Sequence, residues 1–204
     1  MKPKKYFITG ISTDVGKTIT SAIMVEALEA DYWKPVQAGD LHYSDIHKVQ
    51  KLISNSQSVF YDNSYALQTP MSPHESARLD GVTIDLAKIK EPETNNHLVI
   101  EGAGGLLVPL NATKTILDII KLEYKVIVVS RHYLGSINHT LLTIQLLQQK
   151  GFEVLLVYSG DEHKSTESII EKMTRVEVLG RIENEPYFDK NVIKEYAEKF
   201  KTQL

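Results

Sequence analysis

The chain has 204 residues, of which 42% are hydrophobic and 24% charged, with a formal net charge of −3 and no cysteine. This length and composition are typical of a globular domain with a full hydrophobic core. The slight negative charge gives no basic field for nucleic acid or an anionic membrane, and the lack of cysteine excludes disulfides, thiol nucleophiles and cysteine-ligated zinc. No apolar run is long enough for a signal peptide or a membrane span, so we expect a cytoplasmic protein.

The first predicted element is a short buried strand over residues 6–8, followed by the loop Gly10-Ile-Ser-Thr-Asp-Val-Gly-Lys-Thr18. This order of strand, glycine-bounded loop and helix is typical of nucleoside triphosphate binding, because loop N–H groups and a helix N-terminus converge on phosphate. Lys17 then reaches the β- and γ-phosphates, and the Thr18 hydroxyl joins the Mg²⁺ shell. The two glycines are separated by five residues instead of the usual four. A chance Gly-Lys-Thr that opens an ordinary helix is the alternative, and the preceding strand argues against it.

Apolar residues at helical spacing predict a helix from Lys17 to about residue 30. The apolar run 32–36 predicts a short strand that ends near Pro35, because proline cannot continue a central ladder. A second helix is predicted to begin at Asp45, whose side chain suits an N-cap. The polar stretch 54–76 is predicted to be a long loop.

In the rest of the chain, apolar runs predict strands and helical spacing predicts helices. The predicted strands are 97–100, 125–130, 154–158 and 178–182; the predicted helices are 116–122, 136–150, 165–173 and 191–200, with a helical turn at 86–89. Unbroken apolar strands that alternate with helices favour a parallel sheet covered on both faces. We therefore expect one domain, residues 1–204, with a three-layer α/β fold and a mostly parallel sheet.

Charged residues follow the predicted strands, at the sheet edge where ligands of parallel sheets bind. Lys34 follows the second strand and is either a solvated surface lysine or an anion ligand. Glu101 follows the strand 97–100, the place where NTPases often hold Mg²⁺ with a carboxylate. Asp45 is a second candidate ligand or a simple helix cap. The glycines after Glu101, namely Gly102, Gly104 and Gly105, allow the backbone to approach a ligand closely.

The segment Gly135-Ser-Ile-Asn-His139 opens a predicted helix and suits either a carboxylate or phosphate site or an ordinary loop. The histidines lie far apart and lack the spacing of zinc ligands. Aromatic and basic residues do not alternate as in single-stranded nucleic-acid sites. We therefore expect neither a zinc site nor nucleic-acid binding.

Several motifs occur in the order typical of one enzyme family. They are the loop ending Thr13-Asp-Val-Gly-Lys-Thr18, Lys34-Pro-Val36, Ser44-Asp45, Ser72-Pro-His74, Glu101-Gly-Ala-Gly-Gly105 with Pro109, and Leu134-Gly-x-Ile-Asn-His139. On these motifs the chain resembles the dethiobiotin synthetases of the P-loop NTPase superfamily. The motifs span nearly three quarters of the chain, and together they are highly specific.

The resemblance implies an ATP- and Mg²⁺-dependent ring closure in biotin synthesis. One amine of 7,8-diaminononanoate takes up CO₂ to give a carbamate, which ATP phosphorylates. The second amine then attacks the mixed anhydride, which releases phosphate and closes a cyclic urea. The resemblance also implies a homodimer with the substrate at its interface.

The resemblance assigns roles to individual residues. It implies catalytic roles for Lys34, Lys17 and Thr13, and Mg²⁺ binding by Thr18, Asp45 and Glu101. Nucleotide binding is implied for Thr13, Asp14, Val15, Gly16, Lys17, Thr18, Glu101, Gly104, Ser159 and Gly160. Substrate binding is implied for Lys34, Ala38, Gly102 and the positions that a partner subunit contributes, Ser136, Ile137 and Asn138.

Three features depart from the family pattern, and one of them is that the first helix and the second strand meet abruptly at Asp31-Tyr32, with several residues fewer than usual. Ala38 stands where members carry Ser or Thr, so one hydroxyl near the substrate is missing. Ser159-Gly160 replaces an asparagine that reads the adenine edge, and the closing Gly-x-Ile-Pro appears as Gly180-Arg-Ile-Glu183. We therefore expect looser base recognition, with ATP less strongly preferred over other nucleoside triphosphates.

Two other functions stay open at this stage. One is a nucleotide-switch ATPase like ParA or MinD, although those loops carry a second lysine where this chain has Ser12. The other is a ligand-binding relative with weakened catalysis, for which Ala38 and Gly160 are the only hints.

Overall fold

The computed structural model describes residues 3–204. The strands are β1 Lys5–Gly10, β2 Asp31–Trp33, β3 Val36–Ala38, β4 Phe60–Tyr61, β5 Tyr65–Leu67, β6 Leu98–Gly105, β7 Lys125–Arg131, β8 Glu153–Ser159 and β9 Glu177–Ile182. The helices are α1 Lys17–Leu28, α2 Asp45–Leu52, α3 Pro73–Leu79, α4 Ser136–Gln149, α5 Lys164–Thr174 and α6 Lys190–Lys201. Short 3₁₀ turns cover Leu41–Tyr43, Leu86–Lys88 and Ile116–Ile119.

Seven strands form one parallel sheet in the order β4-β2-β6-β1-β7-β8-β9. Helices α1, α2 and α6 pack against one another, and α4 packs against α5, β7 and β8. The central strands are buried, with no accessible surface left on Phe7, Ile8, Ile127 or Val128. Burial on both faces explains why these strands are apolar throughout. The predicted three-layer α/β fold is confirmed.

The predicted strand 32–36 is two strands in different sheets. β2 ends at Trp33, and β3 pairs with β5 in a separate two-stranded parallel sheet. Pro35 separates them, because it has no N–H for a ladder, while its carbonyl accepts a hydrogen bond from Tyr65 N at 3.0 Å. The stretch 54–76, predicted to be a loop, contains β4, β5 and the start of α3. These strands are too short to give a clear apolar pattern.

Three further predictions were wrong in detail. The helix expected over 116–122 is only the turn Ile116–Ile119. The glycine run after Glu101 lies within β6, which continues to Gly105. The N-cap of α2 is Ser44, whose N–H donates to His47 Nδ1 at 3.1 Å. Asp45 is therefore the first helical residue, and its carboxylate does not cap the helix.

The register of the sheet brings the ends of three strands together. Trp33 pairs with Ile100, so the next residues on these strands, Lys34 and Glu101, lie side by side. Gly10 pairs with Gly105 on one side and Val129 on the other, so the loop after β1 leaves the middle of the sheet. Among the helices of residues 3–204, none combines the length and apolar character that crossing a bilayer requires.

A partly exposed ionic cluster lies at the opposite end of the sheet, where the central strands begin. Glu91, whose side chain is 11% exposed, forms ion pairs with Lys5 at the start of β1 and with Lys121 at 2.7 Å, and it accepts a hydrogen bond from the Tyr124 hydroxyl. Burial alone would raise the pKa of the Glu91 carboxyl, but the hydrogen bonds from Lys121, Lys5 and Tyr124 outweigh burial and lower this pKa to about 2. The cluster therefore joins the start of β1 to the segments that precede β6 and β7.

We expect Glu91→Gln to lower the free energy of unfolding at pH 7 by about 1 kcal/mol, because it removes the carboxylate that Lys5, Lys121 and Tyr124 share, while water screens the two partly exposed ammonium groups. A depressed carboxyl pKa stabilises the fold above the unfolded value near 4.5, and this contribution is lost as the pH falls towards 2. Urea denaturation of the wild type and the variant at several pH values between 2 and 7 would show the difference closing at low pH. Glu198→Gln, at an exposed position of α6, is the control. A constant difference across this range would contradict the role of Glu91.

Candidate active site

The loop between β1 and α1 is held in a shape that glycine makes possible. Ile11 N–H donates to Val129 O at 3.1 Å, which ties the loop to the end of β7. Gly16 has a φ of 102° and directly precedes α1. A Cβ at Gly16 would lie 2.8 Å from Ser159 Oγ, so a larger residue meets both backbone strain and a collision with β8. The loop and the first turn of α1 therefore keep the strand, loop and helix arrangement from which the sequence predicts phosphate binding.

Lys17 lies over this loop. Its side chain donates to the Ser12 carbonyl at 3.1 Å, and the residue is 8% exposed. Burial lowers the pKa of the Lys17 ammonium more than the charge of Glu101 raises it, and the charge of Lys34 lowers it further. A bound anion at the loop would supply the negative charge that the buried Lys17 ammonium lacks.

Glu101 is the most extensively bonded acid of the site, and it is 1% exposed. Its Oε1 accepts from Thr18 Oγ1 at 3.1 Å and from Lys34 Nζ at 3.0 Å. Its Oε2 accepts from Ser21 Oγ at 2.7 Å and from the Tyr32 hydroxyl at 2.9 Å. Burial and the neighbouring Glu101 raise the pKa of Tyr32 well above its ordinary value, so its hydroxyl remains a donor. These bonds fix the carboxylate against α1 and β2.

Lys34 links Glu101 to a second acid. Its Nζ lies 2.5 Å from Asp45 Oδ2, and the residue is 5% exposed. Burial alone would lower the pKa of Lys34, but the charges of Glu101 and Asp45 outweigh burial and raise this pKa. Burial of Asp45 is likewise outweighed by Lys34, which lowers the pKa of the Asp45 carboxyl. Lys34 is therefore a fixed, buried positive charge, not the solvated surface lysine that was the alternative.

A cavity of about 860 Å³ opens over the loop. On the side of β2 and β3 it is lined by Lys34, Ala38, Asp45, Lys48, Pro70 and Ser72, and on the side of β8 and β9 by Arg131, Ser159, Ile182, Glu183, Asn184, Glu185 and Phe188. Both ends carry charged side chains. The end at β2 and β3 holds the cluster of Lys34, Asp45 and Lys48, and the end at β8 and β9 holds Arg131, Glu183 and Glu185 beside uncharged residues.

Comparisons with known proteins point to one family. A family model described as an AAA domain matches residues 4–192. A protein of Christiangramia forsetii named ATP-dependent dethiobiotin synthetase BioD is 62% identical over 203 residues, which cover 99% of this chain and 98% of that protein. A protein of the same name from Cytophaga hutchinsonii is 49% identical over 199 residues, 96% of each chain.

The chain belongs to the dethiobiotin synthetase family.

Solved structures with a similar fold are more distant in sequence. A plasmid partition protein from Borrelia burgdorferi superposes with a TM-score of 0.63 at 15% identity, covering 100% of this chain and 98% of that one. The cell division ATPase MinD from Pyrococcus furiosus gives a TM-score of 0.58 at 13% identity, with full coverage of both chains. At such low identity these structures show the P-loop NTPase fold alone.

The structure brings most of the residues implied by the synthetase resemblance to the cavity, but not all. Thr13, Asp14, Gly16, Thr18 and Gly104 line it, as do Lys17, Lys34, Ala38, Asp45, Glu101 and Ser159. Val15 is 2% exposed and is part of the hydrophobic core. Gly102 does not line the cavity. It packs against Phe7 instead, and a Cβ at Gly102 would lie 3.1 Å from the Phe7 ring.

The positions expected from a partner subunit, Ser136, Ile137 and Asn138, form the first turn of α4 and lie outside this cavity of their own chain. Gly135, with a φ of 100°, precedes the helix as its N-cap. Residues 136–138 could therefore contribute to a substrate site in this cavity only from a second copy of the chain.

Sequence reasoning missed four polar residues at the site. Ser21 lies one helical turn after Thr18, and Tyr32 lies two residues before Lys34 on the same strand, so spacing alone points both towards Glu101. Lys48 lies one helical turn after Asp45, so spacing likewise points its side chain towards that carboxylate. Asn184 follows the end of β9 and carries no local signal of this kind.

Proposed function

We propose that the chain catalyses the ATP-dependent formation of dethiobiotin from 7,8-diaminononanoate and CO₂, with release of ADP and phosphate. The observation that carries the proposal is the meeting of Lys34, Glu101 and Asp45 beside the phosphate-binding loop, in a chain 62% identical to a named dethiobiotin synthetase. The reaction moves a phosphoryl group between two anions, a triphosphate and a carbamate. It therefore needs fixed positive charge and accurate positioning more than a nucleophile of the enzyme.

Two ammonium groups supply this charge from opposite sides. Lys17 extends over the loop that would hold the phosphates. Lys34 lies at the end of the cavity beside β2 and β3, where a carbamate would approach. Because Glu101 and Asp45 already hold Lys34, little reorganisation is needed when the transferring group becomes charged. Thr13 also lines the cavity, and we expect its hydroxyl to donate to the carbamate or the γ-phosphate.

The donor set fits Mg²⁺, which prefers carboxylate, hydroxyl and phosphate oxygens. Thr18 Oγ1 lies 3.1 Å from Glu101 Oε1, and Asp45 reaches the same Lys34 ammonium as Glu101. Within residues 3–204 no group of three or more His, Cys, Asp or Glu side chains is arranged to hold a metal ion by itself. When bound by Thr18, Asp45 and Glu101, Mg²⁺ would neutralise charge on the phosphates.

We expect Lys34→Ala and Lys17→Ala each to lower kcat at least about a hundredfold, because each removes a charge that stabilises the transferring phosphoryl group. The assay is phosphate release with diaminononanoate, CO₂ and ATP. Lys51→Ala, on the exposed face of α2, is the charge control. Release that needs neither the diamine nor CO₂ would indicate a switch ATPase instead, and near-normal kcat in either variant would contradict the assigned role.

We propose that the end of the cavity at β8 and β9 takes the base of the nucleotide, since the phosphates would be held at the loop. Gly160, at the end of β8, has no side chain and a φ of 94°. The Asn184 amide lies 3.5–3.7 Å from the point where a Cβ of Gly160 would stand. Arg131 Nη2 lies 3.5 Å from Asn184 Oδ1, at the outer limit of a hydrogen bond. We therefore propose that Asn184 supplies the amide absent from β8, which runs against the looser base recognition expected from sequence.

On this proposal, Asn184→Ala raises KM for ATP about tenfold and narrows the preference for ATP over GTP, while kcat changes less than about twofold. Steady-state rates with ATP, GTP and CTP would test this, with Asn191→Ala at the start of α6 as the control. A wild-type enzyme that uses all three nucleotides equally well would instead support loosened recognition.

An apolar surface beside the loop suits a second copy of the chain. Leu107, Leu134 and Leu142 are 60%, 104% and 60% exposed, and a groove between β6 and α4 runs from Ser12 and Thr13 to Leu142. Isolated exposed leucines are common, but Leu107 and Leu142 share one groove with the loop residues Ser12 and Thr13, which favours an interface. We propose a homodimer in which residues 136–138 of one subunit complete the diamine site of the other.

We expect Leu142→Glu to give a monomer in sedimentation velocity, because it buries a charge in the proposed interface. Its KM for diaminononanoate should also rise, since the partner's helix N-terminus is lost. Leu122→Glu, at a residue that is 66% exposed and precedes β7 at the opposite edge of the sheet, should leave both unchanged. A Leu142→Glu dimer with normal kinetics would contradict this interface.

A further inference from the structure

The two carboxylate oxygens of Asp45 are held by two different lysines. Lys34 Nζ lies 2.5 Å from Oδ2, and Lys48 Nζ lies 3.2 Å from Oδ1. Lys48 is one turn further along α2, and it lines the same cavity as the phosphate-binding loop. Neither the motifs nor the mechanism proposed above uses Lys48.

The two lysines differ in how freely they can move. The side chain of Lys34 is 6% exposed and is also bonded to the buried Glu101, so displacing it would leave that acid with fewer donors. The side chain of Lys48 is 35% exposed and has Asp45 as its recorded salt-bridge partner within residues 3–204. When a divalent cation takes an Asp45 oxygen, Lys48 is therefore the group that yields, and its ammonium can move into water at little cost.

We propose that Lys48 is an internal counter-ion of the metal site, which compensates Asp45 in the ligand-free chain and competes with Mg²⁺ for it. This inference rests on the proposed function for its view of Asp45 as a metal ligand. Lys48 is thus a positioning residue that sets the Mg²⁺ concentration needed to fill the site. It makes no contact with the reacting atoms.

The direction of the effect follows from electrostatics. An ammonium near a cation site disfavours the cation, so removing this charge tightens metal binding. The ammonium is partly exposed and therefore screened, and we expect an effect of about three- to tenfold. A lysine that bound the nucleotide instead would act in the opposite direction, since its loss would weaken nucleotide binding even without metal.

The test uses Mn²⁺ as the probe, titrated into the full chain with a saturating non-hydrolysable ATP analogue, with free Mn²⁺ followed by electron paramagnetic resonance. Lys48→Gln should lower the apparent Kd for Mn²⁺ about three- to tenfold, and less so at high salt. Lys48→Arg keeps the charge and should stay within about twofold of the wild type. Lys51→Gln makes the same charge change on the same helix, away from Asp45 and near the Tyr43 ring, and should also leave this Kd unchanged.

Unchanged or weaker Mn²⁺ binding in Lys48→Gln would overturn the proposal. Weaker binding of the analogue by this variant in EDTA would also overturn it, because Lys48 would then be a phosphate ligand. The Mn²⁺ titration contains no diamine or CO₂, so it is separate from the turnover assay. If the wild type fails to turn over the diamine while Lys48→Gln still tightens Mn²⁺ binding, the result would contradict the proposed synthetase activity but support this inference.

Discussion

Four donors hold the buried Glu101 carboxylate, and the rest of the site depends on this arrangement. Thr18 and Ser21 come from α1, Tyr32 from β2, and Lys34 from the residue after β2. A carboxylate with 1% exposure is stable only when such partners surround it. The phosphate-binding helix and the end of β2 must therefore lie against β6, which is what the strand order β2-β6-β1 provides.

The same network explains why the side chains at the end of the cavity beside β2 and β3 are held in position before any ligand binds. Lys34 is compensated by Glu101 and Asp45, so its charge is permanent and its position fixed. Lys17 is compensated less well, as its lowered pKa indicates. On the proposed mechanism, a triphosphate anion would supply the negative charge that Lys17 lacks without disturbing Lys34, so that the site could bind one anion and still position a second.

Much of the fold and half of the site follow from local sequence signals. The loop ending at Thr18 and the strand before Glu101 combine apolar runs with glycine and charge, and their position along a parallel sheet is then fixed by the rule for strand ends. The division at Pro35 into β2 and β3, and the short strands β4 and β5, depend on partners distant in the chain. Asn184 meets Gly160 only because β8 and β9 are neighbours, so no pattern in the chain reveals this contact.

The most direct test of the central claim is a crystal structure of the chain with a non-hydrolysable ATP analogue, Mg²⁺ and diaminononanoate. We expect the γ-phosphate within about 3 Å of Lys17 Nζ, with Lys34 Nζ facing the space between this phosphate and the substrate amine. Ser21 and Tyr32 should still donate to Glu101, whose other oxygen faces the metal. A complex in which Lys34 and Glu101 point away from the nucleotide would contradict the account of catalysis and leave only the fold.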